Sequence, residues 1–141
     1  MLFLVHHADA VGPDVDPQRP LSTAGRMHAD QLAGRAKDRG IKPAVVWHSG
    51  KLRARQTAEA FWRACNPLAE LAAIRGLQPG DPPEWIRDLI TGDHRDLMLV
   101  GHMPSLPRIV SLLTGTAQEF PLHGLIALEH ENDRWVERYR L

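Results

Sequence analysis

Three short, uninterrupted apolar runs divide the first two thirds of the chain: Met1–Val5 (MLFLV), Ala44–Trp47 (AVVW) and Leu97–Val100 (LMLV). Runs of this length read as strands buried on both faces of a parallel sheet. Between them the apolar spacing becomes helical. Ala29, Leu32, Ala33 and Ala36 fall on one face, with Ser22 as cap and Gly40 as stop. Thr57, Ala60, Phe61 and Ala64 mark a second helix, with Ser49 expected as its N-cap. Asp81-Pro82-Pro83-Glu84 has the form of a third helix start, Asp81 capping and proline in the first turn. Leu106, Ile109, Val110 and Leu113 give the inner face of a fourth helix, which Gly115 stops. Residues 11–20 form a Pro-rich loop, and residues 66–80 are irregular apart from a strand near Leu71–Ile74. Leu125–Leu128 and Trp135–Leu141 read as strands joined by a turn at Glu131-Asn132-Asp133. This alternation predicts an α/β fold: one domain over residues 1–141, a mostly parallel central sheet with helices on both faces, and an antiparallel edge strand.

Composition narrows the function. At 141 residues, 43% hydrophobic and 24% charged, the chain has room for one ordinary domain. Seventeen Lys and Arg balance 17 Asp and Glu, which argues against a general nucleic-acid binder. No apolar run approaches the ~18 residues of a membrane span. The opening run is short and lacks a basic leader, so a cytoplasmic location is expected. A single cysteine, Cys65, excludes an intramolecular disulfide and a cysteine-rich zinc module. Eight histidines stand against one tyrosine and three phenylalanines, an excess of the side chain that titrates near neutrality.

In a parallel sheet, ligands bind outside the carboxyl ends of the strands. Two of the apolar runs end in histidine: LFLV-His6-His7 and LMLV-Gly101-His102. One such histidine is ordinarily a loop residue without a role; two at matching strand ends point to a shared pocket. The helix after Ser49 carries Lys51, Arg53 and Arg55 in its first turns, the end of the macrodipole that favours acids. A bound anion resolves the conflict, and phosphate suits a helix start with arginine. Arg53 shares the sheet-facing side of that helix, whereas Lys51 and Arg55 are expected in solvent. Arg19, in the Pro-rich loop after the first strand, can close over the same anion. His48 and His123 are expected at the rim and His28, His94 and His130 in solvent. A metal centre on His6, His7 and His102 is disfavoured, because adjacent strand residues point to opposite faces and no carboxylate stands at a zinc-ligand spacing. No metal or cofactor is therefore expected.

These segments resemble one family. Leu4-Val5-His6-His7-Ala8-Asp9-Ala10 resembles the L-V-R-H-A/G-x-A opening of the histidine phosphatase superfamily. Arg19-Pro20-Leu21-Ser22-Thr23-Ala24-Gly25-Arg26 resembles its R-P-L-[ST]-x-x-G-R segment. Ser49 to Ala58 resembles S-x-x-x-R-A-x-Q-T-A, and Val100-Gly101-His102-Met103-Pro104 the late V-G/S-H-x-P motif. The four come in the family's order, and the short chain resembles the SixA-type phosphohistidine phosphatases. The resemblance implies a metal-free phosphatase in which His7 attacks phosphorus while Arg19, Arg53 and His102 hold the phosphoryl oxygens, His6 being a weaker fourth. It implies a phosphohistidine-bearing protein or small phosphorylated compound as substrate, with no nucleic-acid or membrane partner. Asp81 is the placed candidate for protonating the leaving group, against its competing reading as a helix cap; Glu84 is a weaker one. A phosphohistidine substrate needs such an acid less than a phosphomonoester does.

The departure is His6, where the family has arginine. Losing one charge-assisted hydrogen bond costs about 1.5–3 kcal/mol, or roughly 10- to 150-fold in rate. Two outcomes follow. Protonation of His6 by bound phosphate gives an enzyme with an acid-shifted optimum. Alternatively the chain is a catalytically impaired binder of phosphate or phosphoprotein.

Overall fold

The computed structural model describes all residues from Met1 to Leu141. Strands and helices alternate as β1 (Leu2–His6), α1 (Thr23–Asp38), β2 (Val45–His48), α2 (Leu52–Cys65), β3 (Glu70–Ala73), α3 (Pro83–Ile90), β4 (Leu97–Gly101), α4 (Ser105–Thr114), β5 (Leu125–Glu131) and β6 (Arg134–Arg140). They build one sheet in the order β3-β2-β4-β1-β5-β6. The first four strands run parallel. β5 turns antiparallel against β1, and β6 pairs antiparallel with β5 at the edge. The β5–β6 turn uses Asn132 and Asp133, both at positive φ (52° and 62°), residue types that tolerate the left-handed region.

Period-two alternation sorts the strand side chains into two cores. Leu2, Leu4, Val45, Leu97, Leu99 and Ile126 face one side, where Ile86 and Ile90 of α3 and Leu106, Ile109 and Val110 of α4 cover them. Phe3, Val5, Val46, Met98, Val100 and Leu125 face the other, under Leu32, Ala33 and Ala36 of α1 and Ala54, Ala58 and Phe61 of α2. Each central strand is thus buried on both faces, the condition that produces unbroken apolar runs.

Helix starts differ from expectation in two places. Ser22 caps α1 as expected, its Oγ accepting from the Gly25 amide at 3.0 Å. Lys51, not Ser49, occupies the N-cap position of α2. Pro82, not Asp81, occupies that of α3. In both cases the polar side chain is committed elsewhere, as described below. Gly25 is required for another reason: a Cβ there would lie 2.0 Å from the Asp9 carbonyl oxygen, so α1 can close on the segment after β1 only without a side chain.

The register aligns the carboxyl ends of the three central strands. His6 pairs with Gly101, and His48 with Val100. The residues that leave this edge next are His7, Ser49 and His102.

Candidate active site

His7 lies one residue beyond the end of β1, its amide donating to the Gly101 carbonyl at 3.1 Å. Its side chain therefore escapes the strict alternation of a strand. The His6 and His7 rings come within 4.5 Å, tilted by 59°, which overturns the expectation that they face opposite ways. The His102 ring stands 5.0 Å from that of His7. A third imidazole joins them: His123, before β5, stacks on His6 at 4.8 Å and 8°.

Hydrogen bonds set the tautomers. His7 Nδ1 lies 2.7 Å from the Ala8 carbonyl oxygen, so it carries the proton and Nε2 keeps its lone pair. His6 Nδ1 accepts from the His123 amide at 2.9 Å, so in His6 the proton sits on Nε2. His123 Nδ1 lies 2.7 Å from the His7 carbonyl oxygen and donates to it. Ser49 Oγ accepts from the Lys51 amide (3.3 Å) and lies 2.7 Å from His102 Nε2. When the hydroxyl donates its one proton to Nε2, His102 carries its own proton on Nδ1, the nitrogen that has no protein partner.

Two buried side-chain polar atoms have no protein partner, Arg53 Nε and His102 Nδ1. Buried donors are almost always satisfied, so a pair of unmatched N–H groups beside His7 marks a place for an acceptor. Burial first, then the positive charges around them, keeps the histidines neutral. His6 is lowered to about 3 by burial, His7, His123 and Arg53. His7 is lowered to about 4, mainly by burial, with Arg53, His123 and Arg19 adding to it. His102 is lowered to about 3 by burial, His7 and Arg53. Burial and the neighbouring Arg19 also lower Arg53. The two arginines thus crowd the same region as the histidines. Arg19 is held there at φ 52°, with its Nε on the Val11 carbonyl oxygen at 3.0 Å.

The expectation of a protonated His6 meets an obstacle. A second proton has to go on Nδ1, where the His123 N–H already points. His48 is buried rather than at the rim, and its Nδ1 accepts from the Gly50 amide. Arg55 is exposed and paired with Glu59 at 3.3 Å, as its solvent-facing position implied. Asp81 Oδ2 accepts from the amides of Gly76 (3.1 Å) and Gln78 (3.0 Å), closing the loop before α3. Gln78 Nε2 in turn donates to the Ser49 carbonyl at 2.8 Å, tying that loop to the site.

One nitrogen from each of His6, His7 and His123 lies within 4.8 Å of the others. They make a poor metal cage, because His6 already uses its lone pair on an amide proton and two guanidiniums stand close by. The same features suit an anion.

Gln56 and Thr57, which the sequence places only within a motif and on a helix face, support the site through hydrogen bonds. Thr57 Oγ accepts from the Ala8 amide at 3.0 Å, and Gln56 Oε1 from the Leu21 amide at 2.7 Å. α2 thereby holds both the segment after His7 and the loop that carries Arg19. A run of two hydrogen-bonding residues beside Arg53 on a sheet-facing helix was the available signal.

A sequence model of the histidine phosphatase superfamily (branch 1) matches residues 6–82. Among solved structures, the putative phosphohistidine phosphatase SixA from Agrobacterium tumefaciens is 28% identical, with a TM-score of 0.84 over 99% of this chain and 96% of that one. The protein histidine phosphatase SixA complexed with tungstate shares the fold at 20% identity and a TM-score of 0.86, covering 99% and 95% of the two chains. A phosphoserine phosphatase mutant from Entamoeba histolytica shares it at 13% identity and a TM-score of 0.75, with 99% and 95% covered. No curated protein sequence matches significantly.

Proposed function

This chain belongs to the histidine phosphatase superfamily, and we propose that it is a phosphatase that works through a phosphohistidine intermediate, with protein phosphohistidine as its substrate. The observation that carries the reading is the pairing of a neutral His7, lone pair free on Nε2, with the unmatched N–H groups of Arg53 and His102.

In this reading His7 Nε2 attacks phosphorus opposite the leaving group. The N–P bond to His7 forms as the bond to the leaving group breaks, and water then hydrolyses the phosphohistidine. Arg53, Arg19 and His102 Nδ1–H hold the three equatorial oxygens, where charge stabilisation and positioning do most of the work of phosphoryl transfer. His6 adds a neutral Nε2–H. An imidazole protonated on its far nitrogen leaves as the neutral ring, so it needs a placed acid less than an alkoxide does. That agrees with Asp81, whose Oδ2 is occupied by two loop amides, and it favours an N–P over an O–P substrate. The SixA likeness at 28% identity supports the same choice.

The test is phosphate release from a phosphohistidine peptide and a phosphoserine peptide by wild type and His7→Ala, with the phosphoenzyme trapped during turnover. The expected result is release from phosphohistidine, an acid-labile label on His7, and no release by His7→Ala. Turnover that survives His7→Ala overturns the mechanism. His6 at the arginine position favours a second reading, a phosphate or phosphoprotein binder; it is supported if wild type binds but does not hydrolyse.

A further inference from the structure

We infer that His123, in its protonated form, is a phosphoryl-binding residue of this site and supplies the cationic donor that position 6 lacks. The inference rests on the phosphatase reading above. Three observations carry it. His123 brings a nitrogen within 4.8 Å of nitrogens on His6 and His7, two of the imidazoles that the phosphatase reading places around the phosphoryl group. Its Nδ1–H is committed to the His7 carbonyl oxygen, so a second proton goes to Nε2 and breaks no bond. His6 has no such option, because its Nδ1 faces the His123 amide. Of the two stacked rings, only His123 can become a cation in place.

The backbone supports the same assignment. His123 sits at φ 51°, in the left-handed region that non-glycine residues occupy at a cost and that clusters at functional sites. That conformation presents its amide to His6 and its imidazole to His7 together. Neutral His123 turns a lone pair on Nε2 toward any oxygen nearby, whereas the cation turns an N–H. Anion binding and His123 protonation are therefore linked, each favouring the other. The charged and titratable groups around His123 are His6 and His7 at the end of β1, and His28 and Arg35 of α1 with the carboxylate of Leu141 on its outer side.

Sulfate is the suitable probe, because it stays a dianion while histidine titrates. Its affinity is measured by calorimetry at about pH 5.5 and about pH 8.5, either side of the ordinary histidine range. Wild type is expected to bind about tenfold or more tightly at the lower pH, the effect of one charge-assisted hydrogen bond. His123→Gln is expected to lose that difference, and His28→Gln to keep it. Should His123→Gln fail to fold, the wild-type histidine Cε1–H resonances decide the matter: the His123 midpoint should rise on saturation with sulfate. Affinity independent of pH, a pH difference that survives in His123→Gln, or an unmoved His123 midpoint overturns the assignment. No sulfate binding at either pH overturns it together with the phosphatase reading. That reading alone fails if sulfate binds as described but no phosphoryl compound is turned over.

Discussion

Ser49→Ala removes one hydroxyl and tests how the site fixes a proton. Ser49 is buried at 6% exposure, as is its partner His102 at 2%. Its Oγ is positioned by the Lys51 amide at 3.3 Å and meets His102 Nε2 at 2.7 Å. The chain of donors runs from backbone amide to hydroxyl to imidazole, the arrangement in which the His102 proton sits on Nδ1. Without the hydroxyl, His102 has two choices. It can keep Nδ1–H for the phosphoryl group and leave Nε2 buried without a donor, or move the proton to Nε2 and turn a lone pair on the substrate. An unsatisfied buried group costs about 1–3 kcal/mol, which corresponds to roughly 5- to 150-fold in kcat/KM. Wild type, Ser49→Ala and His102→Ala are compared on a phosphohistidine peptide, with ¹⁵N spectra of the His102 ring reporting its tautomer. The expected order of kcat/KM is wild type, then Ser49→Ala, then His102→Ala, with the Nδ1–H population of His102 reduced in Ser49→Ala. If Ser49→Ala matches wild type within about twofold while His102→Ala is inactive, Ser49 does not set the proton.

Other expectations follow from the same geometry. His6→Arg adds a charged donor and should raise kcat/KM by about 10- to 150-fold at pH 8. It also leaves the His123 amide without its acceptor, so urea unfolding should show about 1 kcal/mol lower stability; a folded variant with unchanged kcat/KM counts against phosphoryl contact at position 6. For pH and stability, His6 and His102 are held neutral in the folded state, lowered from 6.5 to about 3. Between those values the unfolded chain binds more protons than the folded one, so stability is fully present above about pH 6.5 and falls as pH drops below it. At about pH 5.5 each contributes a loss of about 1.4 kcal/mol, together about 3 kcal/mol, measurable as a lower urea midpoint that saturating sulfate partly restores. Asp81→Asn keeps an acceptor for the loop amides and should leave phosphohistidine turnover within about twofold; a loss of about 100-fold or more, the range of general acid catalysis, assigns the proton donor to Asp81.

The sheet was legible because each central strand is covered on both faces, which makes Met1–Val5 and Leu97–Val100 continuous apolar runs. The cluster of His7, His102 and Arg53 could be anticipated because strand ends at the carboxyl edge of a parallel sheet converge. What escaped was the fate of short polar side chains. Ser49 and Asp81 both stand just before a helix, where capping is the commonest local use. Their actual partners, His102 at a separation of 53 residues and the amides of Gly76 and Gln78, depend on strand order and loop closure. His123 was placed only at the rim for the same reason, since nothing local brings it 117 residues back to His6. The alternation rule failed at His6 and His7 because it holds within a strand, and β1 stops between them.

The exchange of arginine for His6 alters the charge of the empty site as well as its grip on the substrate. Arg19 and Arg53 already repel, and the proximity of Arg19 lowers Arg53. A third guanidinium at position 6 would add fixed charge to a region where burial gives little screening. Two imidazoles carry no such fixed charge, and burial with the neighbouring cations holds His6 neutral. His6 then offers an N–H whose direction the His123 amide fixes, and protonated His123, as inferred, supplies the cation. Such a site binds its ligand with less preformed attraction and gives up affinity as the pH rises. A chain with no net charge can then hold its phosphoryl pocket together with two permanent cations rather than three. The same logic predicts opposite pH slopes for the two properties of the protein: anion affinity rises toward acid as His123 protonates, while folding stability declines there as His6 and His102 resist protonation.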